Sequence, residues 1–178
     1  MPKKRKITYC VLCGTPIEYA TKKPLRCQHC KDIKLSTRST APKTKWKKET
    51  AMFSVMSELL PGVEYIVNGY YSWLISPKGK PMQLDWYSPE INLAVELNGQ
   101  QHYQYTKYFH KTKREFEYLQ QCDKIKETVC KARGITLLPV PYNSKVTHKM
   151  IIDMLKEKNE ELYNRLVRNG ILKLPNNK

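Results

Sequence analysis

Residues 84–102 constrain the fold more than any other part of the chain. Apolar and polar residues alternate over residues 91–98, a pattern that predicts a β-strand with one apolar face. Gly99 ends this strand, and the turn-forming sequence Ser-Pro-Glu at 88–90 comes before it. Residues 82–87 are therefore predicted to form the other arm of a β-hairpin.

The predicted hairpin brings two carboxylates together. If it turns near Glu90, Asp85 lies opposite Glu96 on the neighbouring strand. Directly opposed side chains in such a pair have Cβ atoms roughly 4.5–5.5 Å apart. Two negative charges ~4 Å apart repel each other by about 4 kcal/mol at an effective dielectric constant of ~20. Because a divalent cation would offset this repulsion, the pair is a candidate metal site.

This pattern resembles the PD-(D/E)XK nucleases, with Asp85, Glu96 and Asn98 in the D, E and K positions. The run Val-Glu-Leu-Asn-Gly-Gln-Gln-His, which ends at His102, is similar to the branch that contains very-short-patch repair endonucleases and phage homing endonucleases. Two positions depart from the main pattern. Leu84 replaces the Pro before the Asp, and Asn98 replaces the Lys, so the positive charge of that Lys is missing there.

The resemblance covers residues 49–142 and implies a restriction-endonuclease-like core, in which a mixed sheet is flanked by helices. It implies a Mg²⁺-dependent endonuclease that hydrolyses DNA, of the phage homing or structure-selective kind. Mg²⁺ would be held by Asp85, Glu96 and the backbone carbonyl of Leu97. His102 is the candidate for proton transfer, because the pKa of a free imidazole lies near neutrality.

Two predicted helices bring three more residues towards this site. Glu49 lies on the first turns of a helix predicted over residues 44–60, beside its apolar stripe. In the resembling branch, a Glu on the first helix points towards the metal. Asp123 and Lys126 lie on the inner side of a helix predicted over residues 112–133. The resemblance implies an Asp at this place and, in some relatives, a Lys moved here from the strand.

These residues have two sets of expected roles. Lys126 or Asn98 would position the attacking water or neutralise the phosphate, and Asp123 and Glu49 would orient His102 or bind a second ion. The alternatives are a solvent-facing Glu49 that offsets neighbouring Lys side chains, and a surface ion pair between Asp123 and Lys126.

The charge of the chain favours DNA, double-stranded or branched, as the partner. The net charge is +16, and residues 1–48 hold fourteen Lys or Arg against Glu18 and Asp32. Aromatic side chains alternate with cations after His102, where they could stack on bases or form an ordinary partly buried loop. The candidate DNA-contacting residues are Lys3, Lys4, Arg5, Lys6, Lys22, Lys23, Arg26, Lys45, Lys47, Lys48, Tyr103, Tyr105, Lys107, Lys111 and Lys113.

Four cysteines predict a structural zinc site near the start of the chain. Cys10 and Cys13 form one Cys-x-x-Cys pair, and Cys27 and Cys30 form another, a spacing that suits tetrahedral zinc. The segment is too short to build a core, so the metal would supply its stability, roughly 10–16 kcal/mol in comparable peptides. It resembles a zinc ribbon. The alternatives are free thiols or two disulfides.

The sequence also bounds where the protein acts. No apolar run approaches the ~20 residues of a membrane span and no signal peptide opens the chain, so an intracellular protein is expected. The compartment would be the bacterial cytoplasm during phage infection, or the nucleus if Pro-Lys-Lys-Arg-Lys at 2–6 is an import signal rather than a phosphate-contacting tail. Whether the chain acts as a homodimer stays open.

Three units are predicted in total. Residues 1–35 form a basic tail and ribbon, residues 36–48 a basic linker, and residues 49–178 an α/β core. In this core, strands over 63–68 and 70–76 are separated by Gly69, a central strand covers 135–140 and one last helix covers 144–170. The competing function is a zinc-ribbon DNA-binding protein, such as a transcription or packaging factor, on a decayed nuclease core. Asn98 favours this second function because Asn carries no charge.

Overall fold

The computed structural model describes residues 6–9, 16–19 and 47–175. Its strands are β1 (Lys6–Tyr9), β2 (Pro16–Tyr19), β3 (Ile66–Ile75), β4 (Pro81–Ser88), β5 (Leu93–Asn98) and β6 (Thr136–Pro141). Its helices are α1 (Lys47–Leu59), α2 (Lys113–Ala132), α3 (His148–Lys158) and α4 (Glu160–Arg168), and a short 3₁₀ turn covers Gln100–His102. The predicted hairpin is confirmed as β4 and β5.

A mixed four-stranded sheet organises the core. Its strand order is β3-β4-β5-β6; the first three strands are antiparallel, and β6 runs parallel to β5. The chain between β5 and β6 passes through α2, as a parallel connection requires. The prediction of an α/β fold with a mixed sheet flanked by helices is therefore confirmed.

The two faces of the sheet are covered by different helices. Trp86 and Val95 pack with buried residues of α1, α3 and α4 on one face. Leu84 and Ala94 pack with Cys122 and Cys130 of α2 on the other face. Both cysteines are free and buried, as expected for small core residues. We call these the α1 face and the α2 face.

The strand over residues 135–140 was predicted to be central, and this is wrong. β6 lies at an edge of the described sheet. Its residues are nevertheless mostly buried, because α2 and α3 both pack against it. The strand includes Pro139 and Pro141, which lack the N–H that a second neighbouring strand would require. Burial by helices on both faces gives an edge strand the same apolar composition as a central one.

The last helix was predicted as one element from residue 144, but the structure has two helices and a later start. Thr147 begins α3, and its side chain accepts a hydrogen bond from the Met150 N–H at 3.2 Å. Asn159 ends α3 and begins α4, because its Oδ1 accepts from the Leu162 N–H at 2.9 Å. Its Nδ2 also donates to Thr136 Oγ1 at 2.9 Å. This hydrogen bond links the junction between α3 and α4 to strand β6.

Gly69 was predicted to separate two strands, and this is also wrong. β3 continues through it, and Gly69 pairs with Leu84 of β4. The Asn-Gly sequence at 68–69 nevertheless interrupts the strand locally, because Asn68 has a φ of +53°. The Asn-Gly sequence does favour a turn-like backbone here, but this backbone makes an irregularity within β3 and does not end the strand.

The predicted ribbon is described only in part. β1 and β2 form an antiparallel pair in which Lys6 lies opposite Tyr19 and Tyr9 lies opposite Pro16. Several predicted residues lie outside the described ranges: Lys3, Lys4, Arg5, Cys10, Cys13, Lys22, Lys23, Arg26, Cys27, Cys30 and Lys45. Within the described ranges, none of the helices is long and apolar enough to cross a membrane.

Candidate active site

The two predicted carboxylates lie one rung beyond the last paired residues of the hairpin. Trp86 pairs with Val95, and extending that register places Asp85 opposite Glu96. The ladder ends before this rung, and side chains bond to the backbone instead. The Asp85 N–H donates to Glu96 Oε1 at 3.1 Å, and the Leu97 N–H donates to Asp85 Oδ2 at 2.8 Å. Each carboxylate is therefore fixed by the opposite strand.

Asp85 is also irregularly placed with respect to β3. The β3–β4 ladder pairs Val67 with Trp86 and Gly69 with Leu84 but omits the rung between Asn68 and Asp85. Leu84 packs on the α2 face and Trp86 on the α1 face, although regular alternation would put both on the same face. Asp85 thus lies where the sheet is interrupted on both of its sides.

The expected site residues other than His102 line two clefts rather than one, and His102 is attached to the second of them through Asp123. The larger, of about 680 Å³, is called the Glu49 cleft and is lined by Lys47, Lys48, Glu49, Gln83, Asp85, Leu97, Gly99, Gln101, Phe109 and Tyr142. The smaller, of about 340 Å³, is called the Lys126 cleft and is lined by Glu96, Asn98, Tyr103, Asp123, Lys124, Lys126, Glu127, Leu137, Pro139 and Lys158. Glu96 and Leu97 are successive residues of β5, whose side chains point to opposite faces. The two clefts therefore open on either side of the end of β5.

Lys126 reaches the strand from α2. Its Nζ donates to Glu96 Oε2 at 2.6 Å, and the two side chains are only 16% and 9% exposed. Asn98 lines the same cleft. Lys126 of α2 therefore brings a positive charge to the end of β5.

His102 and Asp123 form a second pair across elements. His102 Nδ1 lies 2.7 Å from Asp123 Oδ2. An ionised carboxylate only accepts hydrogen bonds, so Nδ1 carries the proton and Nε2 is left for another partner. The proposed surface ion pair between Asp123 and Lys126 is not what forms, because Asp123 bonds to His102 and Lys126 bonds to Glu96.

Burial makes the two hairpin carboxylates unusually basic. Burial raises the pKa of Glu96 to about 7, and repulsion by Asp85 adds to this while Lys126 opposes it. Burial also raises the pKa of Asp85, against the hydrogen bond from the Leu97 N–H and the charge of Lys126. Repulsion by Glu49 raises it further. One Lys therefore does not fully compensate the buried negative charge, and a divalent cation would.

This arrangement predicts a pH dependence of stability that Glu96 causes. The pKa of its carboxyl rises from 4.5 to about 7 on folding, so between these values the folded protein holds a proton that the unfolded chain has released. The contribution of Glu96 to the free energy of unfolding is therefore full below pH ~4.5 and is lost as the pH rises through ~7. Relative to Glu96→Gln, wild type should lose about 1–3 kcal/mol between pH 5 and pH 8, measured by urea unfolding without added Mg²⁺.

Glu127→Gln is the control for this measurement. Glu127 is exposed on α2, and its hydrogen bond with Lys158 lowers its pKa. Wild type should therefore show no loss of stability relative to Glu127→Gln between pH 5 and pH 8. A difference between wild type and Glu96→Gln that stays constant from pH 5 to pH 8 would contradict the assignment of a raised pKa to Glu96.

Glu49 lies inside the larger cleft rather than facing solvent alone. It is half-buried, and its Oε1 accepts a hydrogen bond from Asn68 Nδ2 at 3.1 Å. Asn68 Oδ1 in turn accepts from Gln83 Nε2 at 2.6 Å, and Gln83 Nε2 lies 3.5 Å from Asp85 Oδ1. The sequence analysis missed Asn68 and Gln83. Their signals were an Asn-Gly dipeptide inside a strand and a polar residue two positions before Asp85, on the same strand.

The segment after His102 is partly packed and partly exposed. Tyr105 stacks against the buried ring of His110, with ring centroids 5.8 Å apart, as in an ordinary loop. Tyr108, in contrast, is 89% exposed and packs only edge-on against Phe109, with centroids 4.8 Å apart. Part of the segment is therefore an ordinary packed loop, and part of it exposes aromatic rings that could stack on bases. The predicted contact residues Tyr103, Lys107, Lys111 and Lys113 are exposed on this segment, and Lys47 and Lys48 are exposed on α1.

The donor set suits Mg²⁺ better than a metal held entirely by protein ligands. Among residues 47–175 and the two short strands, no group of three or more His, Cys, Asp or Glu side chains is arranged to hold a metal. Mg²⁺ is commonly bound through one or two carboxylates, with waters and substrate phosphates completing its shell. Asp85 offers one such carboxylate, because its Oδ1 has only the long contact with Gln83. Both oxygens of Glu96 already accept hydrogen bonds, one at 3.1 Å from the Asp85 N–H and one at 2.6 Å from Lys126 Nζ.

Known proteins similar to this chain include several from viruses, and they are themselves uncharacterised. Uncharacterised protein 307L of Invertebrate iridescent virus 6 is 39% identical over 75 residues, which cover 42% of this chain and 38% of that protein. Uncharacterised protein 033L of Invertebrate iridescent virus 3 is 36% identical over 69 residues, or 39% and 36% of the two chains. Uncharacterised protein 094L of Frog virus 3 is 38% identical over 68 residues, or 38% and 44%.

These matches cover less than half of each relative. No protein-family model matches the chain, and no solved structure matches it. Over about two fifths of its length, the chain is therefore similar to uncharacterised proteins of iridescent viruses and of Frog virus 3.

Proposed function

We propose that this protein is a Mg²⁺-dependent endonuclease that hydrolyses phosphodiester bonds in DNA, on a restriction-endonuclease-like core. The observation that carries the proposal is the convergence, at the end of β5, of the His102–Asp123 pair and the Lys126–Glu96 pair with Asp85. A half-buried His–Asp pair, a Lys paired with a buried Glu and a second, largely buried carboxylate form a set typical of catalysis by proton transfer and charge stabilisation.

The cation would be held on the Glu49 cleft side. Asp85 and the Leu97 carbonyl are the proposed ligands, with Glu49 in reach of the same ion. When bound, Mg²⁺ would polarise the phosphate and lower the pKa of an attacking water. Glu96 was expected to be a direct ligand. We now propose that it mainly holds Lys126 and the Asp85 backbone, because both of its oxygens are occupied by those groups.

The remaining residues would act on the phosphate and its protons. Asp123 holds His102 with Nε2 free, so His102 would accept a proton from water or donate one to the leaving oxygen. Lys126 would neutralise charge that develops on the phosphate, and Asn98, in the same cleft, would orient water. The scissile phosphate would lie across the end of β5, between the two clefts. The exposed aromatic and basic side chains after His102 would contact the flanking DNA.

Zinc is the second proposed metal, and it makes its own prediction. Natively purified protein should contain one zinc per chain, because four thiolates complete a tetrahedral site. Cys27→Ser should lose the zinc without lowering the melting temperature of the core, since the site is predicted to lie on a separate unit. Elemental analysis and thermal unfolding measure the two outcomes. Cys122→Ala, at a buried cysteine of the core, is the matched control and should keep its zinc.

A DNA-binding protein without catalysis is the second candidate, because Asn98 carries no charge where nucleases have Lys. Incubation of full-length protein with linear, nicked, mismatched and four-way DNA in Mg²⁺, followed by mapping of the product ends, separates the two functions. The endonuclease predicts cleavage of at least one DNA that requires Mg²⁺. Binding of every DNA without new ends, by protein that still binds Mg²⁺, would favour the second candidate.

A further inference from the structure

Asn68 has a left-handed backbone directly beside Asp85. Its φ is +53°, a region that residues other than Gly adopt rarely and Asn adopts more readily than most. At the following Gly69, a Cβ would lie 2.5 Å from the Tyr71 hydroxyl oxygen and 2.9 Å from Ile66 Cγ2. Tyr71 and Ile66 are both buried, so no side chain fits at residue 69 without moving the core. The interruption of β3 is therefore fixed by its surroundings.

The interruption directs the Asn68 carboxamide between two acids. Its Nδ2 donates to Glu49 on α1, and its Oδ1 accepts from Gln83 on β4. Gln83 extends the contact to Asp85 on the same strand, because its NH₂ group has two hydrogens and also lies within reach of Asp85 Oδ1. Carboxylates only accept hydrogen bonds. Two amides joined through one carbonyl therefore present an N–H to each acid.

Stability alone does not account for an Asn at this position. The side chain of Asn68 is exposed, so water competes for its hydrogen bonds and their net contribution to stability is small. Gly would adopt the same φ at no steric cost. Asn pays a steric cost for this backbone conformation, and its exposed side chain gains little stability in return. Its contacts with the two acids are the better explanation for an Asn at this position.

We propose that Asn68 is a positioning residue that, together with Gln83, holds Glu49 and Asp85 at the separation at which they bind a divalent cation. The inference rests on the proposed function in taking Asp85 as a cation ligand. It adds that residues of α1, β3 and β4 together form the cation site, and that the irregularity in β3 places Asn68 where it can contact this site.

The test is the Mg²⁺ affinity of full-length variants, measured from the rise in melting temperature with Mg²⁺ concentration. Asn68→Gly keeps the left-handed backbone and removes only the carboxamide. It should need roughly tenfold more Mg²⁺ for the same rise, because Glu49 is no longer oriented and the loss of a partner that orients a metal ligand costs about 10–100-fold. Gln83→Met, which removes the donor to Asp85 at similar length, should shift the Mg²⁺ dependence in the same direction.

Asn92→Gly is the matched control. Asn92 is the other left-handed Asn, with a φ of +55°, and it lies in the turn between β4 and β5 away from both clefts. It tests what an Asn-to-Gly change at such a φ does by itself, and it should leave the Mg²⁺ dependence unchanged. Without Mg²⁺, both Gly variants should melt at or slightly above the wild-type temperature.

Two results would overturn the inference. One is an unchanged Mg²⁺ dependence in Asn68→Gly. The other is a wild-type Mg²⁺ dependence identical to that of Asp85→Asn, which would also remove the cation from the proposed function. If Asn68→Gly weakens Mg²⁺ binding while wild type cleaves none of the DNA forms, the positioning role stands and the endonuclease fails. If wild type does cleave, kcat in Asn68→Gly should fall at limiting Mg²⁺ and recover at saturating Mg²⁺, with KM for DNA unchanged.

Discussion

Replacing Asp85 with Asn should abolish DNA cleavage while DNA binding survives or tightens slightly. Asp85 shares a cleft with Glu49 and accepts a hydrogen bond from the Leu97 N–H, so we expect its charge to be the main attraction for the proposed cation. Removal of outer-shell partners of a metal site costs about 10–100-fold, so the loss of a direct ligand should exceed 100-fold. Binding should persist because one negative charge near the phosphate has been removed. Single-turnover cleavage and gel-shift titration measure the two effects.

Asp153→Asn is the matched control for this experiment. Asp153 lies on α3, is 59% exposed and pairs with Lys149, so its loss should change neither measurement. Glu96→Gln should also lose cleavage, but for a different reason, because it releases Lys126 rather than the cation. Full activity of Asp85→Asn, with contaminating nuclease excluded, would refute the assignment and favour the DNA-binding protein.

Replacing His102 with Ala should lower kcat by roughly 10²–10⁴-fold and leave Mg²⁺ binding intact. The reason is geometric, because Asp123 holds the ring by Nδ1 and leaves Nε2 as the only group on His102 that can transfer a proton. Asp123→Asn should have a smaller effect, since the ring remains but its orientation is no longer fixed. Cleavage rates at saturating DNA, together with the Mg²⁺-dependent rise in melting temperature, separate loss of chemistry from loss of metal.

His148→Ala is the matched control for His102. His148 also bonds to a carboxylate, since its Nε2 lies 2.8 Å from Glu58 Oε2, but the pair lies between α3 and α1 on the surface. Its removal should leave kcat unchanged. A His102→Ala protein that keeps its kcat and instead loses the Mg²⁺-dependent rise in melting temperature would show that His102 serves the metal site, not proton transfer.

Local pattern was enough to predict the hairpin and the helix that carries Asp123 and Lys126. The alternation along each strand and the position of the turn were enough to predict that the two strands pair, which they do from Ser88–Leu93 to Trp86–Val95. Residues three and seven positions apart on a helix share a side, which placed Asp123 and Lys126 towards the sheet. Such predictions need only the geometry of one element or of two elements joined by a short turn.

The division of the site into two clefts could not be predicted in the same way. It depends on Leu84 and Trp86 facing opposite sides, and on carboxylates replacing backbone groups beyond the Trp86–Val95 rung. Both occur beside an irregularity in the β3–β4 pairing, and the left-handed Asn68 of that irregularity lies on a different strand from the two carboxylates. The position of strand β6 in the sheet was also predicted wrongly. The apolar composition of a strand shows that both of its faces are buried, but it does not show how many strands pair with it.

Two backbone amides at the end of the β4–β5 pairing can be used to follow the candidate site by NMR spectroscopy. The amides of Asp85 and Leu97 donate to side-chain carboxylates, where neighbouring rungs of the ladder use carbonyls. A carbonyl keeps its charge distribution at every pH, whereas a carboxylate loses its negative charge on protonation and shares it with a bound cation. The ¹H and ¹⁵N resonances of these two amides therefore register the charge on Glu96 and Asp85 respectively. Binding of the proposed cation can thus be tested with no DNA present.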